Sequence, residues 1–315
     1  MATLIERGIA PDAQPAARPA TDGPVSVAFD GDSAGQVGQA ALAASVACIV
    51  RCDARLRLGL DGEAVHDARV AVRRIRSELR ALRGVFERSW ADGLRRRLRL
   101  LSDVLGEARD ADVLTARLER DIQLLAESDR ARAGEVLVLL REGRTAAYER
   151  LGATLRDEEY VATIAALVDA AGRPVFGTRA TERARDVVPA LMKRAWRALR
   201  RAVRERSKPP ADAELHRIRI EAKQVRYAAE SLAAVAGKRA RRFAAHVARL
   251  QEALGEQHDA AAASQRLRGL AGAAGVAFAA GELAALERVA DLRARRGWRK
   301  TWRAASRRKR RFWRP

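Results

Sequence analysis

The 315-residue chain has few aromatic residues, 4% of the total, and only two cysteines, nine prolines and, by count, six lysines. Two cysteines exclude a disulfide scaffold. Cys48 lies in the apolar run 46–50 and Cys52 four residues on, so both fall on one helix face, and no histidine lies within ten residues. They read as small buried hydrophobes of a reducing compartment rather than metal ligands. So few aromatics leave few platforms for stacking on bases. The longest charge-free apolar stretches, 37–50 and 269–281, fall short of the roughly 18 residues of a membrane span, and Glu6, Arg7 and Asp12 interrupt any leader core. A cytoplasmic protein without membrane association is expected.

Positive charge is plentiful. The chain carries 61 Lys+Arg against 40 Asp+Glu, a formal charge of +21, and 55 of those cations are Arg. With 48% apolar and 32% charged residues it should fold as a soluble globular protein. A surplus of this size points to a polyanionic partner. Arg suits phosphate because its planar fork donates two parallel charge-assisted hydrogen bonds, although GC-rich codon usage would produce the same bias.

Residues 1–35 lack helical periodicity and hold five acids against two arginines, which predicts a disordered, mildly acidic arm. From there apolar residues recur at i, i+3, i+4 and i+7 and never alternate, so the folded part, 36–315, is all-α. Gly and Pro breaks divide it into helices at 36–58, 63–87, 90–105, 110–127, 129–170 with a break near Asp157, 181–206, 213–235, 239–255, 258–270 and 281–311. The basic end, 293–315, has twelve cations and no acid. Trp298 and Trp302 stand four apart there, a spacing that suits packing on a neighbouring helix better than stacking on bases.

An internal repeat carries the cations. His66, Arg69, Arg73 and Arg76 recur at an offset of 150 as His216, Arg219, Lys223 and Arg226, and Leu105, Gly106, Glu107 and Asp110 recur at 149 as Leu254, Gly255, Glu256 and Asp259. Two blocks in the same order define two similar halves, 36–175 and 180–315. At about 100° per residue, His66, Arg69, Arg73, Arg76 and Arg80 form one basic stripe beside an apolar face of Val72, Ile75, Leu79, Leu82 and Phe86. The second stripe is shorter, because Glu230 stands at the position of Arg80. Like charges at these spacings repel within a helix, so the stripes have either an anion to hold or acids on neighbouring helices, such as Glu107, Asp110 and Asp112, to pair with. Arg109, in the second block, is a further candidate. Lys193 and Arg197 begin another stripe, with Arg200 and Arg204, on the preceding helix.

The motifs HDARVAVRRIR (66–76), LGEARDADV (105–113), LHRIRIEAKQVRY (215–227) and LQEALGEQHD (250–259) resemble those of the CHAD family, the conserved histidine α-helical domain, over most of 36–311. The resemblance implies two antiparallel, four-helix-bundle-like halves related by a pseudo-two-fold axis, with a basic groove or pore that binds inorganic polyphosphate and can recruit the protein to polyphosphate granules. It assigns the anion to His66, Arg69, Arg73 and Arg76 and to His216, Arg219, Lys223 and Arg226. One departure is that His258 replaces the cation Arg109, which predicts weaker binding by the second half. No segment resembles the strand barrel of the triphosphate-tunnel domains that often accompany CHAD modules, so a stand-alone module is expected.

Two other readings use the same residues. A sequence-nonspecific nucleic-acid binder would draw on the same charge, but no base-reading motif is present. An enzyme could use His66 or His216 as a phosphoryl acceptor or base, but the chain has no phosphate-cradling Gly-rich loop, no nucleophile motif and no acidic pair at metal-ligand spacing. A non-enzymatic module without cofactor or metal is expected, with His246, which has no repeat partner, in a structural role.

Overall fold

The computed structural model describes residues 33–59, 61–270 and 275–313. The acidic arm expected at 1–35 falls almost wholly outside the described residues. Its last members start the first helix, where Ser33 caps α1 (Ala34–Leu58) through a capping box with Gln36. In α2 (Gly62–Ala81) the N-cap Asp61 accepts the Ala64 N–H at 2.6 Å. The helix stops short of the expected residue 87, in a turn where Gly84 takes φ +94°, a conformation that favours glycine.

Next comes α3 (Arg88–Ile122), which runs unbroken through Gly106, where two helices were expected. The same correction applies to α8 (Ala233–Arg268), which passes through Gly255 and is kinked only at Gly237, φ +65°. A lone glycine costs a helix about 1 kcal/mol. Tertiary packing offsets that here, since Leu105 and Leu254 are buried beside these glycines. The break near Asp157 is as expected: α4 (Glu127–Arg156) ends there, and Asp157 caps α5 (Glu158–Gly172) by accepting the Glu159 N–H. The second half holds α6 (Ala184–Glu205), α7 (Asp212–Ser231), α8 and α9 (Ala277–Ala305). The described residues thus fold as helices, with isolated bridges and no strand among them. Helices α1 to α4 and α6 to α9 repeat in order, and α5 is an addition packed on α1, α3 and α4.

The halves meet where α2 crosses α7. Arg74 pairs with Glu230 at 2.9 Å, Gln224 donates to Ser77 at 3.2 Å, and Arg80 pairs with Glu221 at 3.5 Å, so partner numbers fall as one's own rises and the helices are antiparallel. By the repeat offset Gln224 is the counterpart of Arg74, which places the pseudo-two-fold axis between residues 74 and 77. A large core cluster runs through both halves and includes Ile75, Leu79, Leu98, Val225 and Phe243. At the far ends, Leu118 and Ile122 of α3, Val136 of α4, Leu267 of α8 and Leu283 of α9 form a second cluster, so the α3/α4 and α8/α9 hairpins also touch at their tips. One described helix, α1, is long and apolar enough to cross a membrane. Its stripe of Leu42, Val46, Ile49, Cys52 and Leu56 is buried in the core. The basic end is packed as well: Trp298 is fully buried and Trp302 stacks on Trp196 at 5.4 Å. The last helix ends at Ala305 instead of 311, and a short 3-10 turn follows, Arg308–Arg310.

Glu78 sits at the crossing with 3% exposure, accepting hydrogen bonds from Ser45 and Ser231 at 3.0 Å each. Burial pushes its carboxyl up to about 7. A carboxyl that holds its proton more tightly folded than unfolded stabilises most below its unfolded value and loses that contribution as pH rises through the folded one. Glu78→Gln should therefore stabilise the protein at pH 8 relative to wild type by on the order of 2–3 kcal/mol and have little effect at pH 4.5. Paired thermal melts at the two pH values check this, and equal shifts at both would mean that Glu78 is ionised in the fold.

Candidate functional site: a basic enclosure between the halves

The stripes of α2 and α7 face a space bounded by α3 and α8. On one side Arg69 pairs with Asp110 of α3 at 2.8 Å, and on the other Arg219 stands 4.0 Å from Asp259 of α8. These two acids are repeat counterparts, so the conserved spacing of each block does one physical thing, which is to orient an Arg of the neighbouring helix. Between them Arg73 and Lys223 have no carboxylate partner among the described residues, and the Arg73 guanidinium lies 6.0 Å from the centre of the Tyr227 ring. Arg73 Nη2, Arg219 Nε and His216 Nδ1 are buried without a hydrogen-bond partner. Each such group costs about 1–3 kcal/mol unless a hydrogen-bond partner satisfies it.

The cations of the two halves feel one another. Burial first, then Arg73, Arg219 and Arg69, push the Lys223 ammonium down to about 6. Burial holds Arg73 and Arg219 below the usual arginine value, with Arg69 lowering both further against the opposing pull of Tyr227 and Asp259 respectively. His216 and His258 pack with ring centroids 4.8 Å apart. Burial, then Arg219, His216 and Lys223, push His258 down to about 4, so both rings in this pair are neutral at pH 7. His66 is lowered by partial burial and then by Arg109, which marks the matching corner of the first half. The enclosure therefore holds positive charge close together with polar nitrogens left without a partner, an arrangement complementary to a chain of anionic oxygens.

The other candidates are placed differently. Arg226 is drawn to Glu230 at 2.7 Å and Gln251 at 3.5 Å and contributes a partly neutralised charge. Arg76 lies on the same helix as Arg73, but the charges that act on it are Arg95, Asp103 and Arg99 of α3. Arg80 pairs with Glu221 in the crossing, and Arg109 stands 4.0 Å from Asp112 at the rim. Lys193 and Arg197 do not join the site: Leu191, Met192, Trp196 and Leu199 turn the apolar side of α6 into the core, leaving those two exposed on its outer face. Helical spacing alone misses Tyr227, which touches both Arg73 and Arg226, and the role of His258. The signal for His258 is its position, in the repeat slot of Arg109. Among the described residues no group of three or more His, Cys, Asp or Glu is placed to hold a metal. Glu107 is held by Arg150, and Asp112 by Arg144 and Tyr148.

A family model of the CHAD domain matches residues 40–268. The chain belongs to the CHAD domain family. Over 183 residues it is 34% identical to the uncharacterized protein Rv2226 of Mycobacterium tuberculosis, a match that covers 55% of this chain and 34% of that protein. The counterpart from a second strain, MT2285, matches to the same extent, so the chain spans about a third of the length of these curated relatives. Among solved structures, PptA from Streptomyces chartreusis superposes with a TM-score of 0.71 at 20% identity, over 87% of this chain and 100% of that one. The CHAD domain of the plant Ricinus communis gives 0.70 at 27% identity, over 89% and 96%.

The far side of this CHAD enclosure is closed by Arg117 of α3, which bonds Glu256 of α8 at 2.8 Å and the fully buried Glu287 of α9. Arg117→Met leaves Glu287 buried and unpaired, and should destabilise the protein by about 3–5 kcal/mol. Adding Glu287→Met should recover most of that loss. Urea unfolding of the two variants reads this out, and equal stability of wild type and Arg117→Met would show that the clamp holds nothing.

Proposed function

We propose that this CHAD domain binds inorganic polyphosphate in the enclosure between its halves. The reading is carried by the convergence of Arg73, Arg219 and Lys223, cations of both repeats whose surroundings include buried, unpartnered donors. A polyphosphate chain offers every donor an acceptor and every cation a counter-charge, and it has no base that needs an aromatic platform. Because the donors are fixed before the ligand arrives, little ordering cost falls on the protein when it binds. The carboxylates nearest the stripes are committed to Arg partners, Asp110 to Arg69 and Asp259 towards Arg219, which supports holding the anion over transferring it. In this reading the protein is a non-enzymatic module that uses neither metal nor cofactor, is cytoplasmic, and is recruited to polyphosphate granules.

Filter binding with polyphosphates of defined length should show tight association that weakens steeply with salt, as for other polyanions. The variant with Arg73→Gln, Arg219→Gln and Lys223→Gln should lose at least about 100-fold in affinity, roughly 1 kcal/mol for each charge-assisted contact removed, while circular dichroism shows its helices intact. Retained affinity in that folded variant would sink the proposal.

Lys223 adds a pH dependence. Free, it is deprotonated above about 6; beside bound phosphate its value rises, so binding takes up a proton and affinity falls as pH increases above 6. The expected loss is up to about tenfold per pH unit. Lys223→Arg, which keeps its charge, should flatten the profile between pH 6 and 8. Parallel profiles for wild type and Lys223→Arg would place the titration elsewhere.

A further inference from the structure

The charge of the protein is distributed unevenly. Residues 36–175 carry 24 Lys+Arg against 22 Asp+Glu, while residues 180–315 carry 34 against 13, a surplus of 21 that equals the net charge of the whole chain. The enclosure draws on only Arg219, Lys223 and Arg226 from that second half, so most of the surplus has no part in it.

Three stretches, 187–204, 231–251 and 293–315, contain no acid. The fold brings 187–204, 231–251 and 293–313 together. Trp196 of α6 stacks on Trp302 of α9 at 5.4 Å and meets Phe243 of α8 edge-on at 5.7 Å, and Trp313 closes on Phe243 at 4.8 Å. Arg200 lies one turn from Trp196, Arg239 one turn from Phe243 and Arg299 one turn from Trp302, with Arg242 and Arg303 next to those rings in sequence; all five are exposed, and among the described residues none has a carboxylate partner. His246 of α8 sits among them, its pKa lowered by burial and then by Arg310, Arg249 and Arg307, which shows that the field there is positive from several elements at once.

We infer that this outer face of the second half is a landing surface for duplex nucleic acid, gripped through the phosphate backbone without reading sequence. Three features select that partner. The cations spread over α6, α8 and α9 as a field rather than along one line, which suits a wide polyanion rather than a single thread. The rings that pin the face together are spent inside it, Trp298 and Trp313 being buried and Trp302 and Phe312 half-buried, so none is exposed to stack on unpaired bases or to enter a lipid surface. The cations are nearly all Arg, whose fork matches phosphate oxygens. Because this face and the enclosure are built from different residues, one molecule can hold a duplex and a polyphosphate chain together.

The test uses the full chain and a fluorescent 20-base-pair DNA duplex, read by polarisation. Two duplexes of unrelated sequence should bind within twofold of one another. The variant with Arg200→Gln, Arg242→Gln, Arg299→Gln and Arg303→Gln should lose at least 30-fold in duplex affinity. Its salt dependence should be shallower by about 3 to 4 in log K against log salt, at about 0.9 per phosphate contact, with polyphosphate affinity held within threefold. The enclosure variant, with Arg73, Arg219 and Lys223 changed to Gln, should keep its duplex affinity. The inference is overturned if the outer-face variant binds duplex as wild type does, if the enclosure variant loses duplex binding, or if wild type binds phosphatidylglycerol vesicles but no duplex. Failure of the polyphosphate reading shows separately, as undiminished polyphosphate affinity in the enclosure variant.

Discussion

The antiparallel crossing of α2 and α7 brings half-buried basic side chains of both repeats together. Arg73 of α2 and Lys223 of α7 are repeat counterparts at that crossing, and in the reduced dielectric there a charge on one raises the cost of a charge on the other, so free Lys223 releases its proton above about 6. The fold resists that repulsion with groups that lie in the crossing itself: Arg74 with Glu230, Arg80 with Glu221, and Gln224 with Ser77. These contacts neutralise Arg74 and Arg80, while Arg73 and Lys223 have no carboxylate partner among the described residues.

The duplication is imperfect where imperfection serves the crossing. A symmetric pair of helices would place an Arg at position 230, the counterpart of Arg80, facing Arg74 across the crossing. Glu230 stands at that second position and serves both Arg74 across the interface and Arg226 on its own helix. What shortens the second stripe is therefore a counter-charge for the joint. Likewise His258 in place of Arg109 exchanges a cation for a neutral ring packed at a tilt against His216, which lightens the charge in the half that already carries the larger burden.

The remaining surplus lies outside the enclosure. Around the Trp196, Phe243 and Trp302 stack the second half combines a rigid aromatic pin with exposed Arg side chains. The two regions differ in geometry: half-buried basic side chains with unpartnered polar atoms between the halves, and an open face with its cations in solvent. Burial makes the first specific, since each orphaned N–H needs an acceptor at one place. Exposure makes the second permissive and dependent on salt.

The sequence by itself determined the helical class, the duplication and the residues that share a helix face, because a 3.6-residue period and a fixed offset are one-dimensional properties readable without a partner. It also carried the break at Asp157 and the packing of the tryptophans. The continuity of α3 and α8 through Gly106 and Gly255 was beyond it, since local propensity yields to burial of the flanking leucines. So was the sorting of the stripes. Arg69, Arg80 and Arg226 meet acids while Arg73 and Lys223 do not, and Lys193 and Arg197 face outward, because those outcomes depend on carboxylates and apolar faces supplied by other helices. Arg74 and Glu230 stand 156 positions apart in the sequence, which is the scale of that dependence: only the tertiary fold decides which charges on a helix are neutralised and which are not.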